Sequence, residues 1–273
     1  MRTNTFFLCL SLGLAGLLSS CSSDAPFGDE QTGKGKATFS LEPVVTFVTS
    51  TRAVDESTYQ NFDDYTVTIA NSGGVEKFSG TYATLKTRMP MELDLGSYTI
   101  EATYGSEHAA SRDAFLVKGS DSFTISGDQT TTVTVNCTPT AGKLLVEFDN
   151  AMSTYYDDYN VDFTGTAALG SSVAHWGKTD TAPFYIALTQ NGETVNYKIY
   201  LTAKSDYATE VDGQKVVNAV AEGSFTLARN ETKKLTVAPS YTPSSEGGLK
   251  IVVTIDDSTN DKTINIEVPV TWI

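Results

Sequence analysis

Histidine and cysteine are scarce in this chain. There are two histidines, His108 and His175, and three cysteines in 273 residues. So few imidazoles leave little for general-base chemistry or zinc ligation. No G-x-S-x-G, H-E-x-x-H, phosphate-binding glycine loop or dinucleotide fingerprint is present, so no catalytic residue, cofactor or metal is expected. Basic residues are also few. Lys and Arg total 19 against 33 Asp and Glu, a formal net charge of −14. Nucleic acid demands a basic face, so it is excluded as a partner, and the acidity suits the solubility of an exported protein. No apolar run reaches the roughly 20 residues of a comfortable transmembrane helix.

A shorter apolar run opens the chain. Met1–Thr5 carries one positive charge, Phe6–Leu18 is almost entirely apolar or small, and Leu18-Ser19-Ser20-Cys21 follows. This order of regions reads as a signal peptide over 1–20. The small residues and cysteine match the lipobox of bacterial lipoproteins, which makes Cys21 the lipid attachment site. Three acyl chains, palmitate among them, would fix the protein to a membrane, since each buried CH₂ contributes about 0.8 kcal/mol. The expected location is the outer membrane, lipid-anchored, at the cell surface. Residues 21–35 are polar and glycine-rich and read as a flexible tether. With Cys9 removed and Cys21 acylated, Cys137 has no partner for a disulfide, so the core carries the stability.

About 250 residues remain, enough for one large or two medium domains. Period-two alternation dominates them. Tyr65–Ile69, Tyr98–Tyr104, Leu144–Phe148, Tyr197–Leu201, Leu249–Ile255 and Thr263–Val268 are strand-like, rich in Thr, Val, Ile and Tyr. Turn signals separate them, and no amphipathic helix is evident. The predicted fold is all-β: two tandem antiparallel β-sandwiches of the immunoglobulin- or transthyretin-like kind, at 36–140 and 141–273.

A repeat supports two units. Ser122–Thr130 aligns without gaps on Ser224–Thr232, and Val133-Thr134-Val135 falls on Leu235-Thr236-Val237. Both blocks read as hairpins. Upstream, Asp63–Ile69 matches Asp157–Phe163, and glycine-led strands follow at Gly142 and Gly247-Gly248.

The lipobox, Thr51-Arg52-Ala53, Gly96–Gly105 and Thr132–Cys137 together resemble an uncharacterised family of lipoproteins from Bacteroides-type gut bacteria. That family has no established catalytic residue. The architecture also resembles fimbrillin-type pilins of the same bacteria, lipoprotein precursors with two tandem β-sandwiches. In them an arginine-specific protease cuts after an arginine near the first strand, and a neighbour's strand fills the vacated groove. The resemblance implies Arg52 as the processing site; the plain reading is an exposed arginine in a loop.

Two sets of side chains could bind small partners. Tyr155, Tyr156 and Tyr159, with His175 and Trp176, could form a platform for sugar rings, against core packing as the ordinary use of strand tyrosines. The pairs Asp63-Asp64, Asp157-Asp158 and Asp256-Asp257 could offer oxygen to calcium, but adjacent strand residues face opposite ways and none has D-x-D-x-D spacing. The principal functional reading is a structural or adhesive surface lipoprotein, a pilus or pilus-associated subunit, joined to other β-sandwich subunits by strand addition. The alternative is a surface module that binds carbohydrate or protein.

Overall fold

The computed structural model describes residues 33–45, 47, 54–127, 129–241, 249–257, 260–268 and 271–273. Strands dominate, as the alternation requires. The first half contains β1 (Lys34–Pro43), β2 (Thr66–Asn71), β3 (Glu76–Thr81), β4 (Met91–Asp94), β5 (Gly96–Gly105), β6 (Ala110–Ser111), β7 (Leu116–Ile125) and β8 (Thr130–Pro139). In β5 and β8 alternate residues are buried, the mark of one face on a core and one in water. Among the described residues, helix is confined to single turns, α1 (Tyr82–Lys86) and α2 (Met152–Tyr155), and short 3₁₀ segments.

The second half contains β9 (Ala141–Phe148), β10 (Tyr156–Thr164), β11 (Ala174–Trp176), β12 (Phe184–Ala187), β13 (Glu193–Ala203), β14 (Thr209–Val211), β15 (Gln214–Val216), β16 (Asn218–Leu227), β17 (Thr232–Tyr241), β18 (Leu249–Asp257), β19 (Asn260–Val268) and β20 (Thr271–Trp272).

The strand order is duplicated. In the first half one seven-stranded sheet, β3-β2-β5-β7-β8-β1-β4, is joined between β7 and β8 by only two residue pairs, so that β3-β2-β5-β7 and β8-β1-β4 act as its two layers. In the second, β11-β10-β13-β16 and β17-β9-β12 repeat that order. The register repeats as well: Lys36 of β1 lies opposite Thr130, and Lys143 of β9 opposite Thr232. The additions are β6 beside β12, β18 and β19 beyond β17, β20 beside β16, and the separate β14–β15 pair. The layers of each half enclose a core. The first holds Phe39, Tyr65, Ile69, Ile100, Val135 and Cys137; the second holds Val161, Phe163, Trp176, Ile199, Leu235 and Ile251.

Several sequence expectations need correction. The sandwiches are not purely antiparallel, because β1 runs parallel to β8 and β9 parallel to β17. The repeated blocks are not hairpins either. β16 and β17 belong to different sheets, and β7 and β8 pair only at Val117–Pro139 and Lys118–Thr138, far from the turn. Each block is an arch that carries the chain from one layer to the other. A hairpin and an arch carry the same local signals of strand, polar turn and strand, and only tertiary pairing separates them.

The glycines reveal the true correspondence. A Cβ on Gly35 would lie 2.7 Å from Ile125 and 3.0 Å from the Ser126 carbonyl oxygen. One on Gly142 would lie 2.6 Å from Leu227 and 2.8 Å from the Ala228 carbonyl oxygen. Each arch therefore folds down onto a glycine of the strand that opens its own half. Gly142 answers to Gly35 rather than to Gly247-Gly248, and β18 is an extra antiparallel strand beside β17. Lys34 and Gly35, read as the end of a flexible tether, instead pair with Asp94 and Leu93, and residues 21–32 of that reading lie outside the described residues. β18 runs to Asp257 and β19 begins at Asn260, so Asp256-Asp257 lies at the end of a strand.

Candidate functional site

The first described strand is the natural place to look for function. β1 lies between β8, parallel over eight residues, and β4, antiparallel over four. Ala37, Phe39 and Leu41 point into the core, where Phe39 meets Phe123 edge-on at 5.4 Å. On the outer face Thr38 and Thr132 hydroxyls lie 3.3 Å apart, and Ser40 and Thr134 3.0 Å. The edge of β1 on the β4 side is sealed at Phe39. Its N–H donates to Met89 Sδ at 3.0 Å, and its carbonyl accepts from Tyr82 Oη at 3.0 Å.

The chain leaving β1 is tied to the second half. Val44 N–H still donates to the Cys137 carbonyl of β8 at 2.9 Å, while Val44 C=O accepts from Asn230 Nδ2 of the second half at 2.6 Å. Phe47 is buried against Phe115 and Tyr185, at 5.2 and 5.6 Å between ring centroids. The chain is described again from Val54. There Glu56 Oε1 accepts from Lys143 Nζ at 2.7 Å and from Tyr185 Oη at 2.6 Å. Lys143 is 1% exposed and Glu56 7%. Burial, and secondarily the Glu56 bond, raise the Tyr185 pKa above the ordinary phenol value.

A second tie uses Arg112, just after β6. Its guanidinium donates to the Ala182 carbonyl, to the His175 carbonyl at 3.2 Å and to Asp180 Oδ2 at 2.8 Å. It also lies over the rings of Phe184 and Trp176, at 3.9 and 4.6 Å from their centroids. β6 itself pairs with β12 through Ser111–Tyr185 and Ala110–Ile186. The two halves are thus joined by main-chain pairing, a buried ion pair and a stacked arginine.

The sequence-expected sites fare unevenly. Cys21 and Arg52 lie outside the described residues. The aromatic platform does not form. Trp176 is fully buried beneath Arg112, Tyr156 is buried, and only 7% of Tyr159 is exposed. In β11 alternate residues point in opposite directions, so His175 faces out while Trp176 faces in. His175 Nδ1 instead meets Asp162 Oδ1 at 2.7 Å, and Tyr155 packs edge-on against Tyr207. The aspartate pairs do not converge. Asp63 pairs with Lys86, and Asp157 sits in the irregularity of β10 between Tyr156 and Asp158. Among the described residues no group of three or more His, Cys, Asp or Glu could hold a metal. Cys137 is buried in the first core, and burial pushes its thiol up to about 11, the opposite of an activated nucleophile.

Sequence reasoning missed Glu56, Lys143, Tyr185 and Arg112. A lysine in a strand reads as solvated by default, and its cover here comes from a residue 87 positions away.

Strand order, arches and glycines define a class: an all-β protein made from a duplicated sandwich. Residues 33–270 match the family described as a domain of unknown function, DUF4493, and the chain belongs to that family. No curated protein matches it. It is similar to a solved fimbrial assembly protein from Parabacteroides distasonis, at 10% identity over 85% of this chain and 100% of that one, with a TM-score of 0.44. It is also similar to the fimbrial anchor protein of Porphyromonas gingivalis, at 11% identity over 84% and 98% of the two chains, with a TM-score of 0.41. A Bacteroides thetaiotaomicron protein provisionally described as polysaccharide-binding gives 13% identity over 85% and 98%, with a TM-score of 0.43.

Proposed function

We propose that the protein is a lipid-anchored surface subunit with a structural or adhesive role, one that keeps its first strand. In this reading Cys21 carries the lipid in the outer membrane, residues 22–32 lead to the fold, and the two sandwiches are domains meeting near Thr140–Ala141. Other β-sandwich subunits join it by adding a strand at an open sheet edge.

The observation that carries the reading is the way β1 is held. Phe39 and Leu41 of β1, and Phe47 beyond it on the same segment, are all buried, and burying each such side chain contributes about 1.5–3 kcal/mol. Together they approach the roughly 5–15 kcal/mol by which a whole domain is stable. A cut after Arg52 would not by itself release β1; a replacement strand would have to fill the same slot. An element this costly to remove suits a base or accessory subunit that stays on its lipid.

Metabolic labelling tests the anchor. Palmitate label is expected in the wild-type protein and absent from Cys21→Ser, which should leave the membrane fraction. A Cys21→Ser variant still labelled and still membrane-bound would refute the lipid site.

A further inference from the structure

The strand that opens the second half is left partly uncovered. β12 pairs with β9 only from Ala141 to Leu144. Lys143 and Asp149 N–H groups donate to the Glu231 and Val237 carbonyls on the β17 side. Strand alternation therefore turns the N–H and C=O of Val146 and Phe148 the other way, toward the side β12 does not reach. No bond to these groups occurs on that side among the described residues. In the first half the residue at the matching register is Phe39, whose N–H and C=O are taken by Met89 and Tyr82.

A cavity of about 640 Å³ lies along this edge, between β9 and the loop through Lys178–Thr181. Phe148 and Tyr159, 4.7 Å apart between ring centroids, form its apolar side. Ser153 and Thr179 bring hydroxyl groups. Lys178 donates to the Asp157 carbonyl and lies 5.0 Å over the Tyr159 ring, with no carboxylate paired to it among the described residues. Glu147 is already paired with Lys234, and Asp180 with Arg112.

We propose that this cavity is a strand-acceptor site: it binds an extended polypeptide segment that continues the line of β12 and pairs with Val146 and Phe148. Main-chain donors and acceptors that repeat every two residues, about 6.8 Å along a strand, fit another backbone rather than a sugar ring. The alternating faces fit small apolar residues against Phe148 and hydroxyl residues toward water. Lys178, whose ammonium meets a carbonyl and a ring, fits a carboxylate on the segment, although Asp149 also lines the cavity. The site rests on the strand addition proposed above and gives it a place on the fold, but it is separate from the β1 slot and does not depend on Cys21 or Arg52.

The test titrates the folded chain, residues 22–273, with acetyl-Thr-Val-Thr-Val-Asp-amide. Saturable binding is expected, with the Val146 and Phe148 amide resonances shifting and their hydrogen exchange slowing. A peptide N-methylated at the amides facing β9 should bind at least tenfold more weakly, because each strand bond it loses has no substitute. Val146→Pro, which removes an N–H on the open side only, should weaken binding to a similar degree. Equal binding of plain and N-methylated peptides, or no saturable binding of the plain one, overturns the proposal whether or not the proline variant folds. Shifts of the same amides by maltohexaose or xylohexaose, with none from the peptide, overturn it in favour of a sugar.

Discussion

β1 and β9 occupy the same place in two copies of one strand order, yet their surroundings differ. Lys36 and Lys143 are matched in register; the first is exposed and the second is buried on Glu56 and Tyr185. Phe39 has its edge sealed by two side chains, whereas Val146 faces a cavity. What the copies share is the glycine beneath the arch and the parallel pairing that closes each sandwich. The duplicated frame is therefore set by close backbone packing. What is particular to this chain is set by what covers each opening strand.

The largest break in the comparison should come at the paired lysines. Lys143→Ala leaves the Glu56 carboxylate buried without its cation, and Glu56 Oε2 already has no hydrogen-bond partner among the described residues. Removing one partner of a buried pair costs about 3–5 kcal/mol, so denaturant unfolding should shift strongly, while Lys36→Ala should stay within about 0.5 kcal/mol. Replacing the whole group, with Lys143→Met, Glu56→Leu and Tyr185→Phe together, should recover most of that loss.

The glycines should behave alike. Gly35→Ala and Gly142→Ala each force a Cβ against an arch carbonyl, and each should cost about 1–3 kcal/mol in the same unfolding assay. A large cost in only one half would mean that the two arches are not equivalent. Smaller still, Ser40→Ala on the β1–β8 hydroxyl ladder should change stability by no more than about 1 kcal/mol, because the pair is exposed.

Alkaline titration should treat the halves equally. Burial raises the Cys137 thiol to about 11 from an ordinary 9.0, and raises Tyr65 in the first core and Tyr156 in the second above an ordinary 10.0. Each folded pKa lies above its unfolded value, so the fold binds the proton more tightly. This contribution is complete below the unfolded pKa and is lost as pH rises through the folded one. Stability should hold to about pH 9 and then fall, with both cores losing near-ultraviolet dichroism together.

Much of this was legible in the sequence, for identifiable reasons. Alternation in Tyr98–Tyr104 and Thr132–Cys137 marks strands because one face of each is buried. The gapless match of Ser122–Thr130 to Ser224–Thr232 marks duplication because both arches solve the same packing problem. The arches themselves were unreadable, since pairing partners are chosen at long range. The Tyr155–Trp176 platform failed because sequence neighbours in a strand face opposite ways. The Glu56–Lys143–Tyr185 group was invisible because three distant segments build it.

Arginine-specific proteolysis of the protein on intact membranes tests the central claim, that β1 stays in its slot on a lipid anchor. The expected result is a membrane-bound, monomeric protein in which residues 53–273 stay with the first strand, whether or not the chain is nicked at Arg52. Cleavage after Arg52, with release of residues 53–273 and their growth into polymers, would contradict it.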